Sequence, residues 1–409
     1  MTDTTKQIFC PLWGFIELTP LLVQILDTPE VQRLRDMKQL GATYLVFPSA
    51  THTRLEHSLG VCHLAKKMGT KLKKHHPEIN ISERFIELLQ VAGLVHDIGH
   101  GPFSHLYDNY AKTAEEPDHE ERGIKLFKSL CVREKIPLTA KEIRTIITMI
   151  DPKGEDVYNW KYQIIANKAH QIDVDKIDYI QRDSFHLHIP HPGEFSRLIS
   201  GVRICHTRSS PHKQLAWNTK LQFDVFTLFN ARYRLHKLVY THHTIKAFEY
   251  LFIELLKYMR FQYPYMDIST LSDSAVIGQC YMNPTTPLTR AILQRQHPKL
   301  VGEEIIPPTS KKPYTPGFRL IVDMVIEETK LGFVSGNNKN PLNAVKYYNE
   351  SDEKTKTLRT SFEINPRQTS FIVPKRFQER ILRLYQINPT EKNMKEATKY
   401  WRSMLRDLI

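Results

Sequence analysis

Residues 82 to 105 constrain this chain more than any other stretch. From Ser82 to Val95 the apolar residues Phe85, Ile86, Leu88, Leu89, Ala92 and Val95 form one broad helical face, the pattern of a helix set into a core. That face ends on His96 and Asp97, and His100, His105 and Asp108 follow within a few residues. A buried helix that delivers an imidazole and a carboxylate side by side suits a divalent ion of intermediate hardness, with no thiolate needed. His96 and His100 lie four apart and share a face if the helix continues, but Gly99 and Gly101 predict an end near His100. Spacing alone therefore secures only His96 and Asp97.

An ion that also binds water and substrate needs further protein ligands. His57 upstream and Asp175 downstream are the nominees, each in a polar cluster within a helical apolar pattern. Two nitrogens and two carboxylates leave positions open for water or phosphate, which is the layout of a hydrolytic site. Zinc, iron, manganese and magnesium all tolerate such a mixture, so the donor set does not name the ion.

The chain has 409 residues, 41% of them hydrophobic and 25% charged, enough for one large core and a smaller one. Its net charge of +13 favours polyanionic partners, either nucleotides or single-stranded nucleic acid, although lysine clusters such as Lys71, Lys73 and Lys74 also serve simply to solvate a surface. No apolar run approaches the roughly 20 residues that span a bilayer, and the first residues carry no hydrophobic leader. The expectation is an intracellular protein of nucleus or cytoplasm with no membrane partner. The five cysteines show no C-x-x-C spacing and read as reduced thiols.

The patterning predicts a mainly α protein, with a helical core over residues 1–263 and a smaller α+β lobe over 264–409. Thr28 and Pro29 predict a helix running to about Leu40 and stopped by Gly41, followed by an extended connection through Tyr44–Pro48. Another helix opens at Thr53–His57. Thr139 and Glu142 have capping-box spacing ahead of Ile143, Ile146, Ile147 and Ile150. A long helical pattern runs from Phe223 to Phe261, with Phe226, Phe229 and Tyr233 read as packing. After an irregular, proline-rich stretch at 306–317, Arg319–Ile326 and Thr369–Val373 read as strands, and 374–385 and 390–408 as helices.

With these residues in place, the chain resembles the HD phosphohydrolases, and among them the animal family that joins a sterile alpha motif to an HD domain and acts as a deoxynucleoside triphosphate triphosphohydrolase. The resemblance rests on Ile16-Glu17-Leu18, Asp27-Thr28-Pro29, Gln32-Arg33-Leu34-Arg35, Lys38-Gln39-Leu40-Gly41, Val46-Phe47-Pro48, Arg54, Glu56–Val61, the His96–His105 run and Ile172–Lys176. It continues more weakly through Arg232, His236, Tyr240 and His242.

The resemblance implies hydrolysis of a dNTP to deoxynucleoside and inorganic triphosphate, with metal ligands His57, His96, Asp97 and Asp175. It places His100, His105, Asp108 and His119 around the reacting phosphate, with His105 as the acid that protonates the departing 5′ oxygen. Arg54, Lys176, Arg232 and His236 would grip phosphate, and Leu40 and His242 would also contact substrate. Gln39 and Asp183 would meet the 3′ hydroxyl, while Tyr179 and Tyr240 crowd the 2′ position. Activation by guanine nucleotide (GTP) is implied through Lys6, Asp27, Gln32 and Arg35, with Arg197 and Lys220 near a further nucleotide, in a homo-oligomer, dimer or tetramer.

The chain also departs from the family. No separate sterile alpha motif is expected ahead of Lys6, Phe9 and Phe15 replace polar nucleotide-contacting residues, and Asn218 stands where an arginine would meet phosphate. Two other readings keep the HD core: a nucleotidase or phosphodiesterase acting on another phosphate ester, and a nucleic-acid-binding protein that uses the positive surface.

Overall fold

The computed structural model describes residues 5–408, apart from 191–192, 194, 209, 307–309, 311–314, 335–338, 350–358, 366–368, 370–373, 375 and 407. Its centre is a pair of packed helices, Arg54–His75 and Glu83–Val95. Each starts where its sequence dictates. Thr53 accepts from the Glu56 amide and Glu56 returns the bond, while Ser82 accepts from the Phe85 amide at 3.1 Å, so orphan first-turn donors are satisfied. The Ala140–Ile150 helix carries the expected capping box at Thr139 and Glu142. The Val174–Leu187 helix packs across the Arg54–His75 helix and closes the core around the candidate ligands.

Three local expectations are corrected near the site. The helix after Pro29 spans only Pro29–Gln32 before tightening to a 3₁₀ turn at Arg33–Asp36. The expected extended connection is instead a 3₁₀ turn over Gly41–Leu45, made possible by Gly41, whose φ is +51° and where a Cβ would sit 2.9 Å from the Phe103 carbonyl oxygen. The long 223–261 pattern is broken into Gln222–Leu235 and His243–Gln262, joined by a π-helical turn at His236–Tyr240. Apolar periodicity is blind to this extra residue per turn, which often marks a functional site.

The C-terminal part carries an antiparallel sheet in the order Lys299–Ile305, Gln378–Gln386, Met324–Gly332, Gly317–Ile321. The expected single strand at 319–326 is a hairpin that turns at Val322 and Asp323. The expected helix at 374–385 is also corrected, since Gln378–Gln386 is an interior strand of this sheet. Its buried Ile381, Leu382, Leu384 and Tyr385 form a short apolar run interrupted only by Arg383, which fits a strand covered on both faces as well as a helix. The strand expected at 369–373 lies largely outside the described residues. The final helix, Glu391–Arg406, packs on the sheet through Ala397 and Trp401. A second sheet joins Val202–Cys205, Gln214–Asn218, Lys346–Tyr348 and Phe362–Glu363, and its parallel pair sets Trp217 against Tyr347. At the other end of the chain, Lys6–Cys10 and Gly14–Leu18 form a hairpin. All five cysteines are buried free thiols, and among the described residues no helix is long and apolar enough to cross a membrane.

Candidate active site

The Glu83–Val95 helix stops where glycine and the HD pair begin, with His96 as its C-cap. His100 therefore lies beyond the helix. The first turn of Val174–Leu187 supplies Asp175, and His57 comes from the first turn of Arg54–His75. Their atoms converge: His57 Nε2 lies 3.0 Å from Asp175 Oδ1 and 3.8 Å from Asp97 Oδ2. His96 Nε2 lies 3.5 Å from Asp97 Oδ1 and 3.7 Å from Asp175 Oδ1. Ligands about 2.1 Å from a tetrahedral ion stand roughly 3.4 Å apart, so the spacing of His57, His96 and Asp97, whose ligand atoms all lie within 4.8 Å of one another, matches one shared cation, with Asp175 beside both imidazoles.

The proton arrangement fits too. His57 Nδ1 faces Asp178 Oδ2 at 2.8 Å and His96 Nδ1 faces the Gly93 carbonyl at 2.8 Å, which assigns the ring protons to Nδ1. Both Nε2 lone pairs then point at each other across 3.3 Å, an arrangement that a cation between them resolves. With protons in place of an ion, burial pulls the His57 pKa down, but hydrogen bonds to Asp175 and Asp178 outweigh it and raise the value to about 10. Binding an ion displaces those protons. Burial pushes the Asp97 carboxyl up, yet His96, Arg54 and His100 hold it well below the usual carboxylate range.

Asp178 and Arg182 complete the support and were not anticipated, although 175, 178 and 182 share a helical face. Asp178, fully buried, accepts from Arg182 Nε at 2.8 Å, Arg182 Nη2 at 2.9 Å and Trp13 Nε1 at 2.5 Å. Gly60 makes room for this pair, because a Cβ there would sit 1.9 Å from Asp178 Oδ1 and 2.3 Å from Arg182 Nη2.

A second group lies beside the first. His100 Nδ1 is 3.2 Å and His119 Nδ1 3.5 Å from Asp108 Oδ2, and Arg122 Nη2 donates to Asp108 Oδ1 at 2.6 Å. The His100 and His119 rings stack at 4.0 Å, with His105 edge-on to His100 at 5.0 Å. Burial, then the His100 and Arg54 charges, push His105 down to about 3, and burial with His100 and His105 takes His119 to about 2. Asp108 is held below its ordinary value against burial, first by its hydrogen bond to His100.

Both groups open into one cavity of about 590 Å³. Arg54, Lys176 and Arg232 line it with positive charge, and His236, Tyr179, Tyr240, Asp183, Gln39 and Leu40 also reach it. Arg54 donates from Nε to Ser104 Oγ at 2.6 Å and from Nη1 to Asp97, while its buried Nη2 has no partner among the described residues. Lys176 Nζ donates to Asp173 Oδ2 at 3.1 Å and Arg232 Nη1 to the Gly332 carbonyl at 2.6 Å. Asp183 takes hydrogen bonds from the Tyr240 hydroxyl and from His52 Nε2 at 2.8 Å. His242 stands apart from this wall, stacking on His243 and capping the following helix. Lys246, Glu249 and Thr329–Gly332 line the cavity without having been foreseen.

The residues expected to bind activator fall into separate contacts. Lys6 Nζ pairs with Asp27 Oδ2 at 3.5 Å, and Arg35 Nε donates to Gln32 Oε1 at 2.7 Å. Arg197 instead engages Asp224 at 3.0 and 3.1 Å, and the Lys220 amide donates to Asn218 Oδ1 at 2.9 Å. Phe9 and Phe15 meet edge-to-face at 5.4 Å on the exposed hairpin.

Residues 54–183 match the HD domain family. The chain is 30% identical to the deoxynucleoside triphosphate triphosphohydrolase SAMHD1 of Danio rerio over 98% of its own length and 74% of that protein. It is 31% identical to the SAMHD1 homolog of Dictyostelium discoideum, covering 93% and 77%. An HD domain-containing protein of Acanthamoeba polyphaga mimivirus is 39% identical over 60% of this chain and 56% of that protein. With the His57, His96, Asp97 and Asp175 cluster at its centre and this likeness along nearly its whole length, the chain belongs to the SAMHD1 family of HD-domain deoxynucleoside triphosphate triphosphohydrolases.

Proposed function

We propose that this chain hydrolyses deoxynucleoside triphosphates to deoxynucleoside and inorganic triphosphate. The observation that carries the reading is the meeting of His57, His96 and Asp97, with Asp175 beside both imidazoles, in a cavity walled by Arg54, Lys176 and Arg232. His57, His96, Asp97 and Asp175 would hold a divalent ion, zinc, iron, manganese or magnesium. When bound, such an ion acidifies water and polarises phosphate oxygens.

The chain's own groups do the rest. Arg54 aims Nη2, which has no partner among the described residues, at phosphate, a charge-assisted bond in a dry site, and Lys176, Arg232 and His236 hold the remaining oxygens. Burial and the nearby charges keep His105 neutral on its own; the negative charge of a bound triphosphate raises its affinity for a proton, preparing it to protonate the departing 5′ oxygen. Asp108 orients His100 and His119 from behind. Gln39, whose buried Oε1 lacks a partner among the described residues, and Asp183 meet the 3′ hydroxyl, one of them taking its proton. Leu40 packs on the nucleoside, and Tyr179 and Tyr240 exclude a 2′ hydroxyl. Guanine nucleotide would bind at Lys6, Asp27, Gln32 and Arg35 in a homo-oligomer, with Arg197 and Lys220 beside a neighbouring nucleotide.

The test incubates purified protein with each dNTP and Mn²⁺ or Mg²⁺, with and without GTP, and separates the products by chromatography. Deoxynucleoside and triphosphate should appear in equal amounts and vanish in His96→Ala. Pyrophosphate, orthophosphate or nucleoside monophosphate as the first product would reject the reading.

A further inference from the structure

We propose that His52 is a positioning residue that sets recognition of the substrate's 3′ hydroxyl by holding the two residues that meet it, Gln39 and Asp183, in register. The inference rests on the reading above and adds a residue to it. His52 immediately precedes Thr53, the cap of the Arg54–His75 helix, and is 2% exposed. It does not line the cavity. It reaches the two residues in different ways: its backbone carbonyl accepts from the Gln39 amide at 3.0 Å, and its ring Nε2 donates to Asp183 Oδ1 at 2.8 Å.

The second Asp183 oxygen takes the Tyr240 hydroxyl, so His52 and Tyr240 pin the carboxylate from opposite sides. Gln39 Oε1 is an acceptor without a partner among the described residues, which suits a hydroxyl that donates at this end of the cavity. The His52 ring is itself fixed, stacked on His186 with centroids 4.3 Å apart and planes 11° off parallel, and Glu56 Oε2 stands 3.4 Å from His186 Nε2. The Val174–Leu187 helix, which carries Asp183 and His186, is thereby locked through one imidazole to the segment that carries Gln39. A carboxylate held by such a bond keeps its aim; released, it samples rotamers that miss the hydroxyl.

The probe is a dNTP compared with its 2′,3′-dideoxy analogue. His52→Phe preserves the stacked ring and removes the donor, and His52→Gln restores an N–H. The Phe variant should lose about tenfold in kcat/KM on the dNTP while changing by less than threefold on the dideoxy substrate, so discrimination falls about tenfold; His52→Gln should recover most of it. Bound metal should remain at the wild-type level. Equal losses on both substrates, or unchanged discrimination in a metal-loaded Phe variant, would overturn the proposal. If His52→Phe does not fold, His186→Leu removes the stack instead and should lower the same ratio about threefold; an unchanged ratio there overturns it too. Wild-type protein that releases no triphosphate from any dNTP would overturn the parent reading and this one with it.

Discussion

Asp178→Asn tests the support beneath the proposed metal ligands. The carboxylate is fully buried, and its pKa sits at about 2 rather than the ordinary 3.8: burial pushes it up, but Arg182 and His57 more than offset that. The group is ionised in the native state above about pH 2 and in the unfolded chain above about 3.8, so its contribution is present at neutral pH and fades as pH falls through that window. At about 1.4 kcal/mol per pH unit it is worth about 2.5 kcal/mol. The amide also leaves the buried Arg182 guanidinium uncompensated, so the expected total loss is about 3–5 kcal/mol. His57 loses the anion facing its Nδ1, and loss of such an outer partner weakens ion binding about 10–100-fold. Urea unfolding in excess chelator isolates the first effect, and metal retained after dialysis against graded chelator isolates the second. Adding Arg182→Met should recover at least half the stability and none of the metal affinity. Wild-type ion affinity in Asp178→Asn, or unfolding within 1 kcal/mol of wild type, would refute the reasoning.

Two further outcomes are expected. Arg54→Lys keeps the charge and loses the planar fork that reaches Ser104 and Asp97; kcat should fall about 100-fold with little change in KM, and a decrease below threefold would remove Arg54 from the reacting centre. Buried His170, bonded to Gln214 at 2.9 Å, has its pKa pushed down to about 4, chiefly by burial. Its unfolded ring takes up a proton below about pH 6.5 while the native ring resists to about 4, so this contribution is complete above 6.5 and declines by about 3 kcal/mol as pH falls to 4. His170→Gln should flatten that part of the urea-stability profile, and parallel profiles would exclude it.

Local rules were legible wherever one stretch of chain decides its own structure. Ser82, Thr53 and Thr139 announce their helices by side-chain caps, and the His96–Asp97 pair announces itself by ending an apolar face. The break at His236–Tyr240 was hidden, because the core accepts apolar residues on either side of a π turn. Gln378–Gln386 was misread because Ile381, Leu382, Leu384 and Tyr385 suit a doubly covered strand and a helix alike, and only its sheet partners arbitrate. Asp178 and Arg182 sit at plain helical spacing, yet nothing in a linear string says that His57 and Trp13 arrive beside them. His242 lies beyond the π turn, where the chain has already rotated its ring off the cavity wall.

The 2.6 Å bond from Arg232 to the Gly332 carbonyl ties the proposed phosphate grip to the C-terminal sheet. Gly332 ends the Met324–Gly332 strand and pairs with Gln378, and strand carbonyls alternate in direction from one residue to the next. A one-residue slip between those two strands would turn that oxygen away and let the guanidinium swing off its target with every cavity residue still present. Sequence drift in the hairpin turn at Val322–Asp323 leaves the pairing intact, whereas an insertion within 324–332 disarms an arginine a hundred positions upstream.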